Sequence, residues 1–442
     1  MTNSITRVLG VWFKDLGRWD VKFFLPYLKG NFPFVVLAPF IHERSERVNL
    51  FEFPEKTFRI LGVNNTEGVF HAYDAQGNLF NQPYKRVRAG DFFYNPYRVN
   101  VGSVGIVPDD LDGYFVSPAY VVFTVYESRI LPKLLEIILK SKWYNPILRS
   151  ATAGSVRQNL TFDLLKTLRI PLPPIQVQET ILKEWRKAQN GLSVTKKGLT
   201  DLIEELNHGL YSLYHSICKQ DVIGTRFFVL DFKDLNRWDV KSSRSSAFRT
   251  YCREFRPMGD FIEDATELVR PFDEPEKEWP IYGVNNEEGV FFNTYQKGTD
   301  FNAPYKRIRK DWFFHNPTRC NVGSLGIVPD VPEDAITSPE YQVWRLKDND
   351  SKRLLPGYVA LLIQTPFFLE LVQFNRVGAV KQRMYYENLC EICIPYLPES
   401  EQRRYSEERG KALEDIQKAR TNLEQMKKEI EEMILGIRPV PH

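Results

Sequence analysis

Hydrophobic residues follow two different spacings along the chain. Short runs of β-branched and aromatic residues, such as VGSVGIVPD (101–109) and YVVFTV (120–125), lie between Gly, Asn and Pro residues, which is typical of strands joined by turns. The stretches 131–147 and 355–372 instead carry apolar residues at helical spacing. The pattern predicts mixed α/β modules of roughly 160 residues each.

A heptad pattern marks two further stretches, each placed after a proline-marked strand end. The expected helices have about 35–40 residues and are roughly 55–60 Å long. The apolar heptad positions of the first stretch align with those of the second at an offset of 224 residues. We therefore predict that the two helices pair with each other along this seam as an antiparallel coiled coil. Packing of each helix on its own module, or on a partner's helix, is the alternative. The predicted pairing residues are Leu192, Leu199 and Leu206 in the first stretch and Ile416, Leu423 and Ile430 in the second.

The same long segment occurs twice in the chain. Residues 83–109 and 304–330 are identical at 19 of 27 positions without a gap. FKDLGRWDVK (13–22) likewise returns as FKDLNRWDVK (232–241), and GSVRQ (154–158) corresponds to GAVKQ (378–382). The two copies therefore run in parallel along the chain, which indicates duplication of one module.

These patterns together predict an α+β chain. It would contain two pseudo-symmetric mixed α/β globular modules, separated by two long helices that pair as an antiparallel coiled coil. The predicted boundaries are 1–174 for the first module, 175–220 for the central helix, 221–398 for the second module and 399–442 for the C-terminal helix.

Composition narrows the possible functions. The formal net charge of the 442 residues is only +3, which argues against a general nucleic-acid condenser and requires any DNA-binding charge to be concentrated locally. Five cysteines in so long a chain favour a reducing compartment over a disulfide scaffold. The chain has no run of about 18 apolar residues and does not begin with a signal peptide. We therefore expect a cytoplasmic protein that does not bind a membrane.

The repeated segment combines basic, aromatic and asparagine residues. Basic side chains neutralise phosphates, and arginine or asparagine can hydrogen-bond base edges, so we predict one nucleic-acid-contacting loop per module. Phe92, Phe93 and Tyr94 are expected in the core. For each basic residue an intramodule salt bridge or a solvated strand face is the alternative, and the asparagines can equally form turns. The candidate DNA-binding residues are Lys85, Arg86, Arg88, Asn95, Arg98, Asn100 and Arg157 in the first copy and Lys306, Arg307, Arg309, Asn316, Arg319, Asn321 and Lys381 in the second.

Motifs for catalysis or metal binding are weak. NPY (95–97) has one proline where an adenine methyltransferase needs Asn/Asp-Pro-Pro-aromatic, and its twin NPT (316–318) lacks the aromatic residue. No glycine-rich phosphate loop with a Lys-Ser/Thr pair occurs. Cys390 and Cys393 form a lone C-x-x-C without a second pair of ligands. His315 is absent from the other copy, so we interpret it as a DNA-facing or turn residue. We predict neither a catalytic residue nor a bound metal.

Taken in order and in duplicate, the motifs resemble those of the specificity subunit of type I restriction–modification systems. They are GVNN-EGVF (62–70 and 283–291), YKRVR and YKRIR, the NPxRxNVGSxGIVPD blocks, and IPLPP followed by a helix. The resemblance covers essentially the whole chain. The second copy departs from it at IPYLP (394–398).

The resemblance implies two target-recognition domains that read a bipartite DNA sequence, one half per domain, with the helices measuring the spacer. It implies double-stranded DNA as ligand, two modification subunits that methylate adenine with S-adenosylmethionine, and restriction subunits that translocate and cut DNA with ATP. This chain would bind neither cofactor and catalyse no step. A stand-alone DNA methyltransferase or nuclease with duplicated domains is the alternative, and a coiled-coil scaffold without a nucleic-acid role is a third interpretation.

The likeness of the two copies adds a prediction about the target. Similar modules related by a pseudo-twofold axis should read similar half-sites in inverted orientation, which makes the target partly palindromic. The positions at which the halves would diverge are the pairs Tyr94/His315, Tyr97/Thr318 and Val99/Cys320.

Overall fold

The chain forms two compact units. One unit runs to Gly191 and resumes at Arg420, and the other is Leu192–Ala419, so each contains part of both long helices. The separate helical domains expected at 175–220 and 399–442 stay a prediction. The repeat at 13–22 and the candidate Arg157 lie outside the described residues. The computed structural model describes residues 30–65, 67–126, 129–151, 159–218, 221–224, 228–234, 240–348, 353–378 and 381–441.

The first unit is rich in short strands. They form a two-stranded sheet (β1-β11), a four-stranded sheet (β2-β10-β7-β8) and a five-stranded sheet (β3-β6-β9-β4-β5). Neighbouring strands are antiparallel except for the parallel pair β4 and β9. The strands are β1 (Phe34–Val36), β2 (Ile41–Glu43), β3 (Arg47–Val48), β4 (Thr57–Asn64), β5 (Gly68–Gln76), β6 (Tyr84–Arg86), β7 (Phe92–Tyr94), β8 (Val104–Ile106), β9 (Phe115–Val116), β10 (Val121–Val125) and β11 (Arg169–Pro171); the helices are α1 (Pro132–Lys140), α2 (Asn145–Ala151), α3 (Phe162–Thr167) and α4 (Ile175–Ile217), whose second half belongs to the other unit.

The second unit repeats this plan strand by strand. Its sheets have the orders β12-β22, β13-β21-β18-β19 and β14-β17-β20-β15-β16, which are those of the first unit after each strand number is raised by 11. The predicted duplication therefore extends to the fold. The strands are β12 (Arg256–Pro257), β13 (Ile262–Asp264), β14 (Leu268–Val269), β15 (Glu278–Asn285), β16 (Gly289–Lys297), β17 (Tyr305–Arg307), β18 (Phe313–His315), β19 (Leu325–Ile327), β20 (Ile336–Thr337), β21 (Gln342–Leu346) and β22 (Cys393–Ile394); the helices are α5 (Val240–Tyr251), α6 (Pro356–Leu362), α7 (Pro366–Asn375), α8 (Tyr386–Cys390) and α9 (Glu399–Ile434).

One inner strand of each four-stranded sheet, β7 or β18, is buried on both faces. In β7, Phe92 and Tyr94 join the helix-covered core, while Phe93 joins a second core formed with the five-stranded sheet. β18 divides its residues in the same way, with Phe313 in one core and Phe314 in the other. The aromatic residues are thus core residues as predicted, but both sides of the strand are covered, because successive side chains alternate between the faces.

Each helix predicted between β10 and β11, or between β21 and β22, is divided in two. The first region forms α1 and α2 instead of one helix over 131–147, and the second forms α6 and α7. In the second unit the break lies at a proline: Thr365 caps the new helix by accepting a hydrogen bond from the Phe368 amide at 3.2 Å, and Pro366 is its first residue. Proline suits a first helical position and not a helix interior.

The long helices contain 43 and 36 residues and run antiparallel. In the first unit, Ile181 near the start of α4 shares a core with Ile430 near the end of α9. In the second unit, Glu205 late in α4 pairs with Arg404 early in α9 at 2.9 Å. Of the predicted seam, Leu206, Ile416 and Ile430 are buried, whereas Leu192, Leu199 and Leu423 are half-buried. Beyond Leu206 the buried residues of α4 no longer follow the heptad, and Leu210 and Tyr214 lie with Leu202 and Leu206 in the core of the second unit.

The structure corrects the expectation about cysteines. Cys218, just after α4, forms a disulfide with Cys252, just after α5, and their Cα atoms lie 4.7 Å apart. The two helices are brought together by stacking of Tyr214 on Phe248, with 5.6 Å between ring centroids. The other cysteines of the chain are free thiols. Composition missed this pair because its members are 34 residues apart and belong to no spacing motif.

No single helix among the described residues is both long and apolar enough to cross a membrane. Only α6 and α7 taken together reach that composition, across a bend of 75°.

One glutamine per copy fixes the start of each long helix to its module. Gln178 is fully buried; its side chain accepts a hydrogen bond from the Leu131 amide at 2.9 Å and donates to the carbonyl oxygens of Arg129 and Pro173 at 2.9 and 2.8 Å. Gln402, also fully buried, makes the same three bonds with Leu355, Arg353 and Leu397. Three main-chain groups therefore depend on each amide.

We expect Gln178→Ala and Gln402→Ala each to lower the free energy of unfolding by about 2–4 kcal/mol, because the substitution leaves those main-chain groups without partners. Thermal unfolding followed by circular dichroism measures the effect. Gln425→Ala, which changes an exposed residue of α9, is the matched control and should alter stability by about 0.5 kcal/mol or less. Equal melting midpoints for all three variants would contradict the assigned role.

Candidate nucleic-acid interface

The repeated basic segment forms one surface loop in each unit. We call residues 95–103 and 316–324 the arginine loops. The first loop follows β7, makes one 3-10 turn at Val99–Val101, and re-enters the sheet as β8. The second follows β18, makes its 3-10 turn at Cys320–Val322, and re-enters as β19. The first loop is closed by a hydrogen bond from the Asn95 amide to the Ser103 carbonyl at 3.1 Å. The four-stranded sheet therefore anchors both ends of each loop.

Asparagine side chains shape these loops. The Asn95 side-chain oxygen accepts a hydrogen bond from the Tyr97 amide at 3.0 Å. The Asn316 oxygen accepts from the Thr318 amide at 3.1 Å and from the Thr318 hydroxyl at 2.8 Å. This geometry is an Asx turn, so the structure favours the turn-forming interpretation that the sequence left open.

The neighbouring hairpin braces each loop. Gly102 and Gly323 both have φ of +85°, a backbone conformation that glycine adopts without strain. A Cβ atom on Gly102 would lie 2.3 Å from the Asn65 side-chain oxygen, and one on Gly323 would lie 3.1 Å from the Asn286 Cβ. The GVNN blocks therefore supply the hairpin tips on which the arginine loops rest.

The exposed face of each loop presents an arginine and a valine. Arg98 and Arg319 are exposed, and within the described part of the chain neither guanidinium has an acidic partner. Val101 and Val322 are each 52% exposed. A loop that carries an exposed arginine and an exposed valine is suited to phosphate or guanine contacts and to the methyl group of thymine.

The arginines of the YKRVR and YKRIR segments are held by one acid per unit. Glu46 lies 3.7 Å from Arg86 and 3.6 Å from Arg88. In the second unit Glu267 lies 3.0 Å from Arg307 and 2.8 Å from Arg309, and the hydrogen bond from Arg309, with the charge of both arginines, lowers the pKa of the Glu267 carboxyl. The salt-bridge alternative therefore describes these four arginines. Sequence reasoning missed both glutamates, which lie about 40 residues before their partners.

Lys85 and Lys306 are corrections to the predicted contact set. Both are buried on their strands, and each ammonium donates a 2.6 Å hydrogen bond to a carbonyl oxygen, of Tyr120 and Tyr341 respectively. Burial lowers the pKa of both lysines. Since the amino groups are committed inside the module, they do not face a DNA backbone.

His315 is likewise an internal residue and neither a turn nor a DNA-facing one. It is fully buried; its Nε2 donates to the Met384 carbonyl at 2.9 Å and its Nδ1 accepts from the Trp344 indole at 3.3 Å. In the first unit Tyr94 donates to the equivalent carbonyl, of Leu160, at 3.0 Å. Phe123 stands where Trp344 stands, so the two differences between the copies are coupled.

The other two pairs at which the copies differ have different degrees of burial. Val99 and Cys320 are buried, at 2% and 0% exposure, which is a correction because a buried side chain cannot discriminate bases. Tyr97 and Thr318 are exposed. Among the differing pairs named from sequence, only Tyr97/Thr318 lies on the surface.

A second loop packs beside the arginine loop of the second unit. Lys381 is exposed there, between Val377 and Arg383, which form an isolated bridge. Arg376, missed from sequence, ties the two loops by donating to the carbonyls of Thr318 at 3.2 Å and Gln382 at 2.7 Å.

The last two asparagine candidates are partly covered by the protein. Asn100 and Asn321 are half-buried, and the Asn100 carbonyl accepts a hydrogen bond from the side-chain amide of Asn145. Over the described residues no group of three or more His, Cys, Asp or Glu is arranged to hold a metal ion. Burial raises the pKa of the Cys393 thiol to about 11, which keeps it protonated at neutral pH.

His315 makes stability depend on pH. Burial lowers its pKa to about 4 from the ordinary 6.5, so the unfolded chain binds a proton between these values before the folded chain does. Stability is therefore full above about pH 6.5 and falls as the pH drops towards 4, by about 3 kcal/mol at most. The double variant His315→Tyr/Trp344→Phe, which installs the first unit's pair, should lose this component when unfolding is measured from pH 4 to 7. Superimposable pH profiles for the two proteins would contradict the assignment.

Comparison with known proteins finds sequence similarity over part of the chain. Residues 74–205, which include the first arginine loop, match the family model described as Type I restriction modification DNA specificity domain. The type I restriction enzyme HindI specificity subunit of Haemophilus influenzae is 30% identical over 142 residues, 31% of this chain and 31% of that protein. The match thus spans about a third of that curated relative.

Solved structures of similar proteins have low scores. The HsdS subunit from Thermoanaerobacter tengcongensis is 16% identical, with coverage of 91% of this chain and 95% of that one and a TM-score of 0.34. The type I restriction-modification S subunit from M. genitalium is 15% identical, with coverage of 93% and 97% and a TM-score of 0.38. The resemblance given by the repeated motifs is confirmed over residues 74–205, where the chain matches the specificity domain of type I restriction–modification systems.

Proposed function

We propose that this chain is the DNA-recognition subunit of a type I restriction–modification complex, and that each arginine loop contacts one half of a bipartite target. The observation that carries the proposal is the paired presentation of Arg98 and Arg319 on equivalent, sheet-anchored loops, where both are exposed and neither has an acidic partner among the described residues. Duplicated loops suit a target with two related halves. A rigid loop also spares DNA binding the entropy of ordering a flexible one.

The other basic residues have smaller parts under this proposal. Glu46 and Glu267 neutralise part of the charge of the arginines with which they pair. These paired arginines therefore contribute mainly to long-range attraction of DNA. Lys381, on the neighbouring loop, extends the proposed contact surface.

The proposal includes partners for every chemical step. Two modification subunits would methylate adenine with S-adenosylmethionine, and restriction subunits would use ATP, while this chain binds neither cofactor and catalyses nothing. Its ligand, double-stranded DNA, places it in the cytoplasm. The alternative of a stand-alone methyltransferase is disfavoured because the Asn95 side-chain oxygen, in the segment compared with the methyltransferase motif, already accepts a hydrogen bond within a turn.

Arg98→Ala and Arg319→Ala should each weaken binding of the assembled complex to its target DNA by about 10-fold or more, because a contact of this kind contributes about 1–3 kcal/mol. Fluorescence anisotropy with target duplex at several salt concentrations measures this. Arg270→Ala removes an equally exposed arginine that is paired with Asp273 at 3.3 Å and serves as control. Target binding that is unchanged in the two loop variants, with unchanged melting midpoints, would rule out the loops as the interface.

Glu46→Gln and Glu267→Gln should strengthen binding to unrelated DNA several-fold, because each frees two arginines for phosphates. The dependence of log K on log salt should become steeper by about one unit for each added phosphate contact. Glu55→Gln, an exposed residue, gives the same change in net charge without freeing an arginine. An equal effect from Glu55→Gln would mean that net charge alone is responsible.

A further inference from the structure

The surfaces of the two arginine loops are nearly identical. Over nine residues, NPYRVNVGS (95–103) and NPTRCNVGS (316–324) differ at two positions. One of these pairs, Val99 and Cys320, is buried in the core. The exposed difference is Tyr97 in the first loop and Thr318 in the second.

The backbone under this difference is the same in both loops. Each residue donates its amide to the side-chain oxygen of the asparagine two positions earlier, at 3.0 Å for Tyr97 and 3.1 Å for Thr318. The following arginines have φ of −130° and −117° with ψ near 10°, and both loops end in a glycine at φ +85°. A change of side chain therefore alters the chemistry of the surface without moving the loop.

The two side chains offer DNA different groups. Tyr97 is 52% exposed and presents an aromatic ring and a hydroxyl that can donate and accept. The Thr318 hydroxyl gives its proton to Asn316 at 2.8 Å, so it is left as an acceptor beside a methyl group. An acceptor of this kind suits the exocyclic amino group of adenine or cytosine, and the methyl group suits thymine.

We propose that Tyr97 and Thr318 are the specificity-determining residues that make the two loops read different bases at one equivalent position of the half-sites. Arg98 and Arg319, with Val101 and Val322, contact what the two halves share. This inference rests on the proposed function, since it assumes that the loops face DNA.

Reciprocal exchange tests the inference in the assembled complex. The chain is expressed with its modification partners, and the methylated motif is determined by mapping N6-methyladenine across the host DNA. Tyr97→Thr should change one base of the first half to the base at the equivalent position of the second half, and leave the second half and the spacer unchanged. Thr318→Tyr should make the opposite change in the second half. The matched buried exchanges Val99→Cys and Cys320→Val should leave the motif as it is.

The outcomes separate this inference from the proposed function. If both surface exchanges leave the motif and the extent of methylation unchanged, the inference is overturned while the proposed function stands. If deletion of the chain leaves the methylated motif unchanged, the proposed function itself fails. A Tyr97→Thr complex that melts normally but accepts neither the old nor the exchanged half-site also overturns the inference, and Thr318→Tyr provides an independent readout.

Discussion

The candidate interface depends on a sheet strand that is buried on both faces. β7 and β18 carry their aromatic residues alternately into two cores, and each arginine loop is the connection from that strand to the next. Because the strand is fixed from both sides, the loop leaves it at a defined point and in a defined direction. The asparagine turn and the hairpin tip then need to order only a few residues. Burial of apolar side chains thus positions the polar surface.

Basic residues near this strand have three different environments. Lys85 is buried and bonded to a carbonyl, Arg88 is held by an acid, and Arg98 is exposed with no acidic partner in the described ranges of the chain. All three are basic residues within one repeated segment, so the difference comes from the direction in which the strand or loop points each side chain. A basic segment is therefore a poor measure of the charge available to DNA. The number of uncompensated cations is the relevant quantity.

The two copies also show how a buried polar group can change without loss of its partner. Tyr94 donates a hydrogen bond to the Leu160 carbonyl, and His315 donates to the equivalent carbonyl of Met384. The histidine has a second ring nitrogen, and an indole N–H satisfies it where the other copy has a phenyl ring. Since an unpaired buried polar atom is costly, the two positions have to change together. The outward surface of the loop is unaffected by this exchange.

The sequence by itself determined the duplication, the mixed α/β modules, the two long helices and the resemblance to type I specificity subunits. These follow from identity between segments and from local periodicity, which need no knowledge of distant contacts. Only the tertiary structure decided which basic residues are available, because Glu46 and Tyr120 lie far along the chain from the residues that they engage. It also decided that the heptad ends where Tyr214 packs on Phe248, and that Cys218 meets Cys252. Burial and pairing are properties of the folded chain, and no short segment contains enough of their partners to reveal them.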